Sequence, residues 1–247
     1  MDYLTDQQLI DKFGIKEGDR VLDVGGSTKQ HDVIAVDTIV DIVKPEEAPY
    51  WQSKLKAKHF VRLDITKKKL PFQDNEFDFC VCTHTLEDLD MPFLIMNEMS
   101  RVAKRGYIAV PTRGKDSEFS HFNLTDWLSG PRRSPGLAHH KWFFEIIGNE
   151  LQITPKNYPL LYTQEFSIVK WSGNEELQFY WGNKINYKAF DSVNFHDLIK
   201  NYRNFMLKNR KLVKKGKPLI FLDNPYFMFK ELIKLILKKG EGFKSGR

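Results

Sequence analysis

The stretch Val21-Leu22-Asp23-Val24-Gly25-Gly26-Ser27 decides the fold. Its apolar residues predict a short, fully buried β-strand. The strand carries an acidic residue, Asp23, and ends at two glycines, Gly25 and Gly26. Ligands of open α/β sheets bind outside the carboxyl ends of the parallel strands, and glycine there lets a ligand approach the backbone closely. The stretch therefore predicts a ligand site at the end of the first strand.

The rest of the first half alternates short apolar runs with helical spacing. We expect strands at 33–36, 60–63, 77–82 and 107–110, a capped helix at 5–13 and a helix at 92–102 with one apolar face. This alternation is typical of a Rossmann-like α/β fold, a parallel sheet with helices on both faces.

From Trp142 onward the pattern changes to antiparallel hairpins and then to a helical C-terminal extension. Hairpins are predicted for 142–147 with 151–154 and for 166–171 with 177–181, followed by helices at 196–214 and 226–239. We therefore predict one domain at 1–160, and a β-hairpin and basic helical extension at 161–247.

Two further acidic residues follow predicted strands. Asp37 closes the strand at 33–36, where a carboxylate can accept hydrogen bonds from both hydroxyls of a ribose. Asp64 closes the strand at 60–63 and can accept from an exocyclic amine, while Ile65 offers an apolar face to a base. An acidic residue after a strand is often only a turn or cap, but in this order the three predict a nucleoside site.

With these features, the stretches 70–72, 74–78 and 83–89 (Leu-Pro-Phe, Asp-Asn-Glu-Phe-Asp and Thr-His-Thr-Leu-Glu-Asp-Leu) resemble the class I S-adenosylmethionine-dependent methyltransferases of the small-molecule type. The resemblance covers about residues 13–112 and implies S-adenosylmethionine as cofactor. It places Asp37 at the ribose, Asp64 and Ile65 at the adenine, and Thr83 and His84 beside the cofactor. Around the methionine end it implies Asp23, Gly25, Gly26 and Ser27.

The chain departs from the family pattern in two places. The stretch from Gly26 to Asp32, only seven residues, precedes the predicted second strand and is too short for a crossover helix, so that helix is expected to be missing or reduced to one turn. Asp88 stands where relatives usually carry histidine. A dinucleotide site is disfavoured, because the chain lacks the G-x-G-x-x-G turn that opens a helix.

Methyl transfer to a hydroxyl also needs a group that removes a proton. His139 and His140 follow the loop 111–135, which we expect over the carboxyl edge of the sheet, and only one of the two is expected to face the site. Glu87, three residues after His84, is the third catalytic candidate. A structural histidine and a capping Glu87 remain alternatives, and no metal site is predicted because nothing shows ligand spacing.

Charge and composition leave the partners open. Residues 195–247 carry a net charge of +10 and residues 1–194 one of −4. A basic helix at 226–239 suits either packing or peripheral contact with a membrane surface, and nucleic acid is the less favoured partner. Cys80 and Cys82 are expected to be buried thiols, and the N-terminus lacks a signal-peptide pattern, so we expect a cytoplasmic protein.

The predicted function is therefore O-methylation of a small polar acceptor, with a sugar unit of a glycan as first choice. N-methylation of a small amine is a close rival. The alternatives are a non-catalytic binding or scaffold protein that kept the fold, and an RNA methyltransferase that uses the basic tail. The sequence alone leaves the oligomeric state undetermined.

Overall fold

A computed structural model of the chain describes residues 5–48, 52–119, 134–190, 194–216 and 233. The helices are α1 (Asp6–Phe13), α2 (Pro92–Val102), α3 (Arg113–Ser117), α4 (Tyr158–Leu161) and α5 (Phe195–Lys208), with a 3-10 turn at Pro45–Glu47. The strands are β1 (Val21–Val24), β2 (Thr38–Asp41), β3 (His59–Arg62), β4 (Phe79–Thr83), β5 (Arg105–Pro111), β6 (Trp142–Ile147), β7 (Glu150–Pro155), β8 (Ile168–Trp171), β9 (Glu176–Gly182), β10 (Tyr187–Ala189) and β11 (Val213–Lys215).

Six strands form the central sheet in the order β3-β2-β1-β4-β5-β9. The first five are mutually parallel, and β9 runs antiparallel along β5 at the edge. The chain reverses its direction of winding between β1 and β4, which is where open α/β sheets bind ligands. The predicted Rossmann-like parallel sheet is confirmed.

Each face of the sheet is covered by one helix. Alternate residues of β4 separate cleanly: Cys80 and Cys82 join the core with α2, while Phe79 and Val81 join the core with α1. Both cysteines are fully buried free thiols, as predicted, and burial raises their pKa well above the ordinary value. The capped N-terminal helix is also confirmed, with Thr5 accepting from the Gln8 amide.

The second strand lies later in the chain than the sequence pattern predicts. The strand predicted at 33–36 is wrong: β2 begins at Thr38, and Val33 is 56% exposed. The amides of residues 32–34 donate to the Asp6 carboxylate of α1 and so are not free for a strand ladder. No helix forms between β1 and β2, as predicted, but the connection is longer than expected.

The predicted hairpin at residue 142 is confirmed, and the second hairpin is wrong. β6 and β7 pair across a turn with Gly148 at φ 64°, and β10 adds a parallel strand to β7. By contrast β8 pairs with β11, and β9 with β5 of the central sheet. The helix predicted at 196–214 ends at Lys208, since 213–215 is β11. The predicted helix at 226–239 and residues 120–133 of the loop lie outside the described residues.

The chain divides into two compact units. One contains residues 1–116, 139–157 and 173–197, and the other contains 117–138, 158–172 and 198–247. The predicted domain division at residue 160 stays a prediction, although β9 lies within the first unit. No helix among the described residues has both the length and the apolar character that crossing a membrane requires.

Candidate active site at the carboxyl ends of the strands

A cavity of about 300 Å³ opens where β1 to β4 end, and we call it the strand-end cavity. Its size lies at the lower end of the range for small-molecule sites. Polar groups from four consecutive strand ends meet there, as the strand order requires. Its lining residues are Gly25, Thr28, Asp41, Ile42, Leu63, Asp64, Ile65, Thr66, His84, Thr85, Asp88 and Leu89.

Glycine is required at position 25 for two reasons. Gly25 has a φ of 80°, which side chains rarely adopt, and an added Cβ would lie 2.3 Å from Oγ1 of Thr85. Its amide donates to the carbonyl of Val40 on β2. The backbone therefore passes tightly between β2 and the loop after β4, in the wall of the cavity, as the sequence predicts for this residue.

Asp37 does not lie at the strand-end cavity. Its amide donates to the carbonyl of Val21, the first residue of β1, so Asp37 stands at the opposite end of the strands. Its carboxylate faces the side chains of Arg20 and Lys58, each at 3.7 Å. Because β2 was misplaced by the sequence pattern, the predicted contact between Asp37 and a ribose is wrong.

Asp41 occupies the position that the prediction gave to Asp37. It ends β2 and lines the strand-end cavity, roughly 13 Å along the strand from Asp37. One carboxylate oxygen accepts from the amide of Ser27 at 3.1 Å, and the other accepts from the amide of Ile42. The carboxylate is therefore held at the cavity by the backbone on two sides.

Asp64 and Ile65 lie in the cavity wall where the sequence places them. Asp64 pairs with Lys67 at 2.8 Å and accepts from the amide and hydroxyl of Thr66. These contacts lower the pKa of Asp64 to about 2, so the group is ionised at neutral pH. Ile65 is buried and contributes apolar surface beside it. Their proposed contact with adenine stays a prediction.

The strand-end cavity is not lined by Asp23, Gly26 or Ser27. Asp23 is part of β1, and Gly26 and Ser27 form the turn that follows β1. Asp23 is buried, and within the described part of the chain neither carboxylate oxygen has a hydrogen-bond partner. Burial raises the pKa of Asp23 to about 6, against the opposing effect of His31. An added Cβ on Gly26 would lie 1.9 Å from the Asp23 carboxylate, so only glycine fits above it.

Asp6 and His31 take the place of the missing crossover helix. The Asp6 carboxylate contacts Nδ1 of His31 at 2.7 Å, and Nε2 of His31 lies 4.0 Å from Asp23. Burial opposes ionisation of both groups, but the hydrogen bond between them holds the pKa of Asp6 below and that of His31 above their ordinary values. Asp6, His31 and Asp23 therefore form a row in which the His31 ring lies between two carboxylates.

His84 lines the strand-end cavity and also a second cavity of about 120 Å³. With a φ of 51°, its backbone adopts the left-handed conformation. Its ring nitrogens face two carboxylates, Glu176 at 3.0 Å and Glu87 at 3.4 Å. The second cavity is lined by Asp6, Leu9, Lys29, Gln30, His31, Asp32, Thr83, His84, Tyr107, Ala109 and Glu176.

The two carboxylates change what His84 can do. Burial lowers the pKa of His84, but the hydrogen bonds to Glu176 and Glu87 outweigh it and raise the pKa to about 9. The imidazole is therefore a cation at neutral pH and a poor base. Sequence reasoning missed Glu176, because β9 was assigned to a separate hairpin.

His139 and His140 both point toward Asp88. Their Nε2 atoms each lie 3.6 Å from Oδ1 of Asp88, and the two rings are perpendicular. The expectation that the two side chains diverge is wrong, because residues 138–139 form a turn rather than a strand. Since Asp88 lines the strand-end cavity, the pair lies at the edge of that cavity.

His140 is the better supported of the two histidines. It is buried, and its Nδ1 lies 2.8 Å from Oδ1 of Asp116, which also accepts from Lys156 at 2.9 Å. Burial lowers the pKa of Lys156. Neither Asp116 nor Lys156 could be linked to the site from sequence, because they lie 24 and 16 residues from His140 with no shared motif.

A family sequence profile described as a methyltransferase domain matches residues 21–110. Among solved structures, the chain is similar to an S-adenosylmethionine-dependent methyltransferase from Aquifex aeolicus, with 27% identity over 49% of this chain and 69% of that one and a TM-score of 0.35. It is also similar to an S-adenosylmethionine-dependent methyltransferase from Methanosarcina mazei, with 23% identity over 44% of this chain and 60% of that one and a TM-score of 0.34. A chain of a complex between a Haloferax volcanii methyltransferase activator and a methyltransferase shows 20% identity over 44% of this chain and 51% of that one, with a TM-score of 0.34.

This chain therefore spans between 51% and 69% of the length of these three structures. No curated protein matches it. The profile match confirms the predicted resemblance to S-adenosylmethionine-dependent methyltransferases over residues 21–110, and the observed strand order confirms the Rossmann-like fold. S-adenosylmethionine is the cofactor that such a domain implies.

Proposed function

Because residues 21–110 are a methyltransferase domain, we propose that this protein transfers a methyl group from S-adenosylmethionine to a hydroxyl of a small polar acceptor. A sugar unit of a glycan is our first choice of acceptor. The observation that carries the proposal is the convergence of Gly25, Asp41, Asp64 and Ile65 on one cavity at the ends of parallel strands.

The residues of the strand-end cavity suit the adenosine part of the cofactor. Asp41 is placed to accept from the ribose hydroxyls, Asp64 to accept from the exocyclic amine, and Ile65 to contact the base. Gly25 lines the cavity and adds no side chain to it. When bound, the cofactor supplies an activated methyl group, so the protein must align the acceptor, exclude water and take up a proton.

We assign the proton transfer to His140. The Asp116 carboxylate holds Nδ1, which leaves Nε2 directed toward Asp88 at the cavity edge. As the acceptor oxygen bonds to the methyl carbon, the carbon–sulfur bond would break and S-adenosylhomocysteine would leave, and Nε2 of His140 would take up the hydroxyl proton. His139 is an exposed neighbour that contacts the same carboxylate. Glu87 is buried against His84, so its role is to position that residue.

The second cavity, which shares His84 with the strand-end cavity, suits the part of a polar acceptor that does not react, since the reacting hydroxyl must lie on the side of Asp88 and His140. Most of its lining residues carry charged or hydrogen-bonding groups, among them Lys29, Gln30, His84 and Glu176, which suit an acceptor with several hydroxyls. The alternative of a non-catalytic binding protein loses its main support, because the missing crossover helix is replaced by the Asp6 and His31 contacts. Cytoplasmic location and the role of the basic C-terminal region stay predictions.

The cofactor assignment is tested by calorimetric titration of the full chain with S-adenosylmethionine. We expect Asp41→Ala to weaken binding by roughly 10- to 100-fold, because charge-assisted hydrogen bonds to the ribose are lost. Asp37→Ala is the matched control and should bind as the unchanged protein does. Equal affinity of the Asp41 variant, or no binding by the unchanged protein, would rule out this assignment.

The base assignment is tested by methyl transfer from labelled cofactor to a panel of free monosaccharides. We expect His140→Ala to lower kcat about 100-fold while cofactor affinity is kept, because the proton acceptor is lost. Asp116→Asn should lower kcat and shift its pH profile, whereas His59→Ala, an exposed histidine on β3, should change neither. Full turnover by the His140 variant would place the base elsewhere.

A further inference from the structure

Asp88, His139 and His140 form a cluster of three metal-ligand types. One ligand atom from each residue lies within 4.8 Å of the other two, and Oδ1 of Asp88 lies 3.6 Å from each Nε2. In a tetrahedral zinc site with bonds of about 2.0 Å, the ligand atoms lie about 3.3 Å apart. The two distances from Asp88 exceed this value by about 0.3 Å, and the distance between the two histidine atoms, at most 4.8 Å, can close by rotation of the exposed His139 side chain.

The surroundings of His140 match those of a histidine that binds a metal. Metal-binding histidines usually give their second ring N–H to a carboxylate, which fixes the tautomer and orients the ring. Asp116 accepts from Nδ1 of His140 in this way at 2.8 Å, and the buried Lys156 holds Asp116 in turn. Nε2 of this tautomer presents its lone pair toward Asp88.

A second observation points to a cation at the same place. Oδ1 of Asp88 is buried and lacks a hydrogen-bond partner among the described residues, although it faces both imidazoles. At 3.6 Å this oxygen lies too far from either ring nitrogen for a hydrogen bond, and a metal ion between the three atoms would satisfy it. Three carboxylates, those of Asp88, Glu87 and Asp116, face the two cations of His84 and Lys156, which leaves room for a further positive charge.

We propose that Asp88, His139 and His140 bind a divalent transition-metal ion of the zinc class. Two imidazoles and one carboxylate suit such an ion, and three protein ligands leave a coordination position open. His139 is 62% exposed at its side chain, so the ion can enter from solvent. The site shares His140 with the methyl-transfer proposal, but zinc binding itself can be measured without cofactor or acceptor, because all three ligands are side chains of this chain.

The experiment is a titration of the metal-stripped full chain with zinc chloride, followed by calorimetry. We expect one equivalent of zinc to bind, His139→Ala and Asp88→Asn to weaken the affinity at least tenfold, and Asp116→Asn to weaken it about tenfold. His59→Ala should bind as the unchanged protein does. Circular dichroism of each variant confirms that the fold is kept.

Two results would contradict the proposed metal site. One is the absence of stoichiometric zinc binding, which would mean that a proton on Nε2 bridges His140 and Asp88. The other is equal zinc affinity in the unchanged protein and in both the His139 and Asp88 variants. Failure of the cofactor titration would leave the zinc result standing, so the two proposals fail separately.

The site also predicts how zinc affects turnover. Nε2 of His140 cannot bind an ion and accept a proton at once, so zinc should inhibit methyl transfer in the unchanged protein. The zinc effect should disappear in His139→Ala. Zinc-dependent activation that also disappears in this variant would support the metal site and contradict the free imidazole base.

Discussion

At the scale of single residues, Asp23 is the group whose charge opposes the fold most directly. Its pKa of about 6 lies above the usual value for an unfolded chain, so the folded state binds its proton more tightly. Its contribution to stability therefore falls as pH rises from about 4 to about 6. We expect Asp23→Asn to raise the free energy of unfolding of the ligand-free protein at pH 7.5 by about 3 kcal/mol.

Urea unfolding at pH 7.5 and at pH 4 measures this effect. The gain should fall well below 1 kcal/mol at pH 4, because the folded carboxyl is then neutral and the unfolded one is only about half ionised. Asp11→Asn, at an exposed position of α1, should have little effect at either pH. A variant that is destabilised at both values would show that the Asp23 charge is compensated in the folded protein.

The residue scale also shows what sequence reasoning could and could not assign. An aspartate does end β2 and line the strand-end cavity, as the sequence predicts for this type of group. The residue assigned to that position was wrong, because Asp37 and Asp41 each follow an apolar run that is typical of a strand. Pairing with β1 decides between the runs, and that pairing is a tertiary property.

At the scale of elements, Asp6 joins α1 to the connection between β1 and β2. Its carboxylate accepts from the amides of Asp32 and Val33 at 2.6 and 2.7 Å. We expect Asp6→Ala to lower the free energy of unfolding by about 2 kcal/mol, because two backbone amides and the mostly buried His31 ring lose a charged acceptor. The pKa of Asp6 is lowered in the fold, so this stabilisation is present above about pH 4 and is lost on acidification.

Hydrogen exchange locates the effect of the Asp6 variant. The amides of Asp32 and Val33 should exchange faster in Asp6→Ala, while those of β4 keep their protection unless the whole protein unfolds. Asp11→Ala removes a carboxylate from the same helix that contacts only Gln7 at the surface, and it should leave both amides unchanged. Equal exchange in the two variants would mean that the connection is held by other contacts.

At the scale of the whole molecule, β9 is the part of the C-terminal half on which the central sheet depends. It pairs with β5 over seven residues, and its Leu177, Phe179 and Trp181 enter the core. We expect a fragment of residues 1–160 to lose cooperative unfolding in urea, because β5 is left as an open apolar edge. A fragment of residues 1–197 keeps β9 and should unfold cooperatively.

Circular dichroism during urea unfolding compares the two fragments. Cooperative unfolding of 1–160 with the stability of the longer fragment would support the sequence-based division at residue 160 and show β9 to be dispensable. Loss of β9 also removes Glu176, so the pKa of His84 should fall from about 9 in any folded form of the shorter fragment. Nuclear magnetic resonance titration of that histidine measures the shift.

The sequence by itself determined the fold class, the first strand with its glycine turn, the helix α2, the first hairpin and the chemical types needed at a methyltransferase site. These follow from local periodicity and from motifs a few residues long. The tertiary structure alone decided that Asp41 faces the cavity, that Glu176 reaches His84 and that His139 and His140 converge on Asp88. Such contacts depend on strand register and on pairing between distant segments, where alternatives of similar local propensity are separated only by how the whole sheet packs.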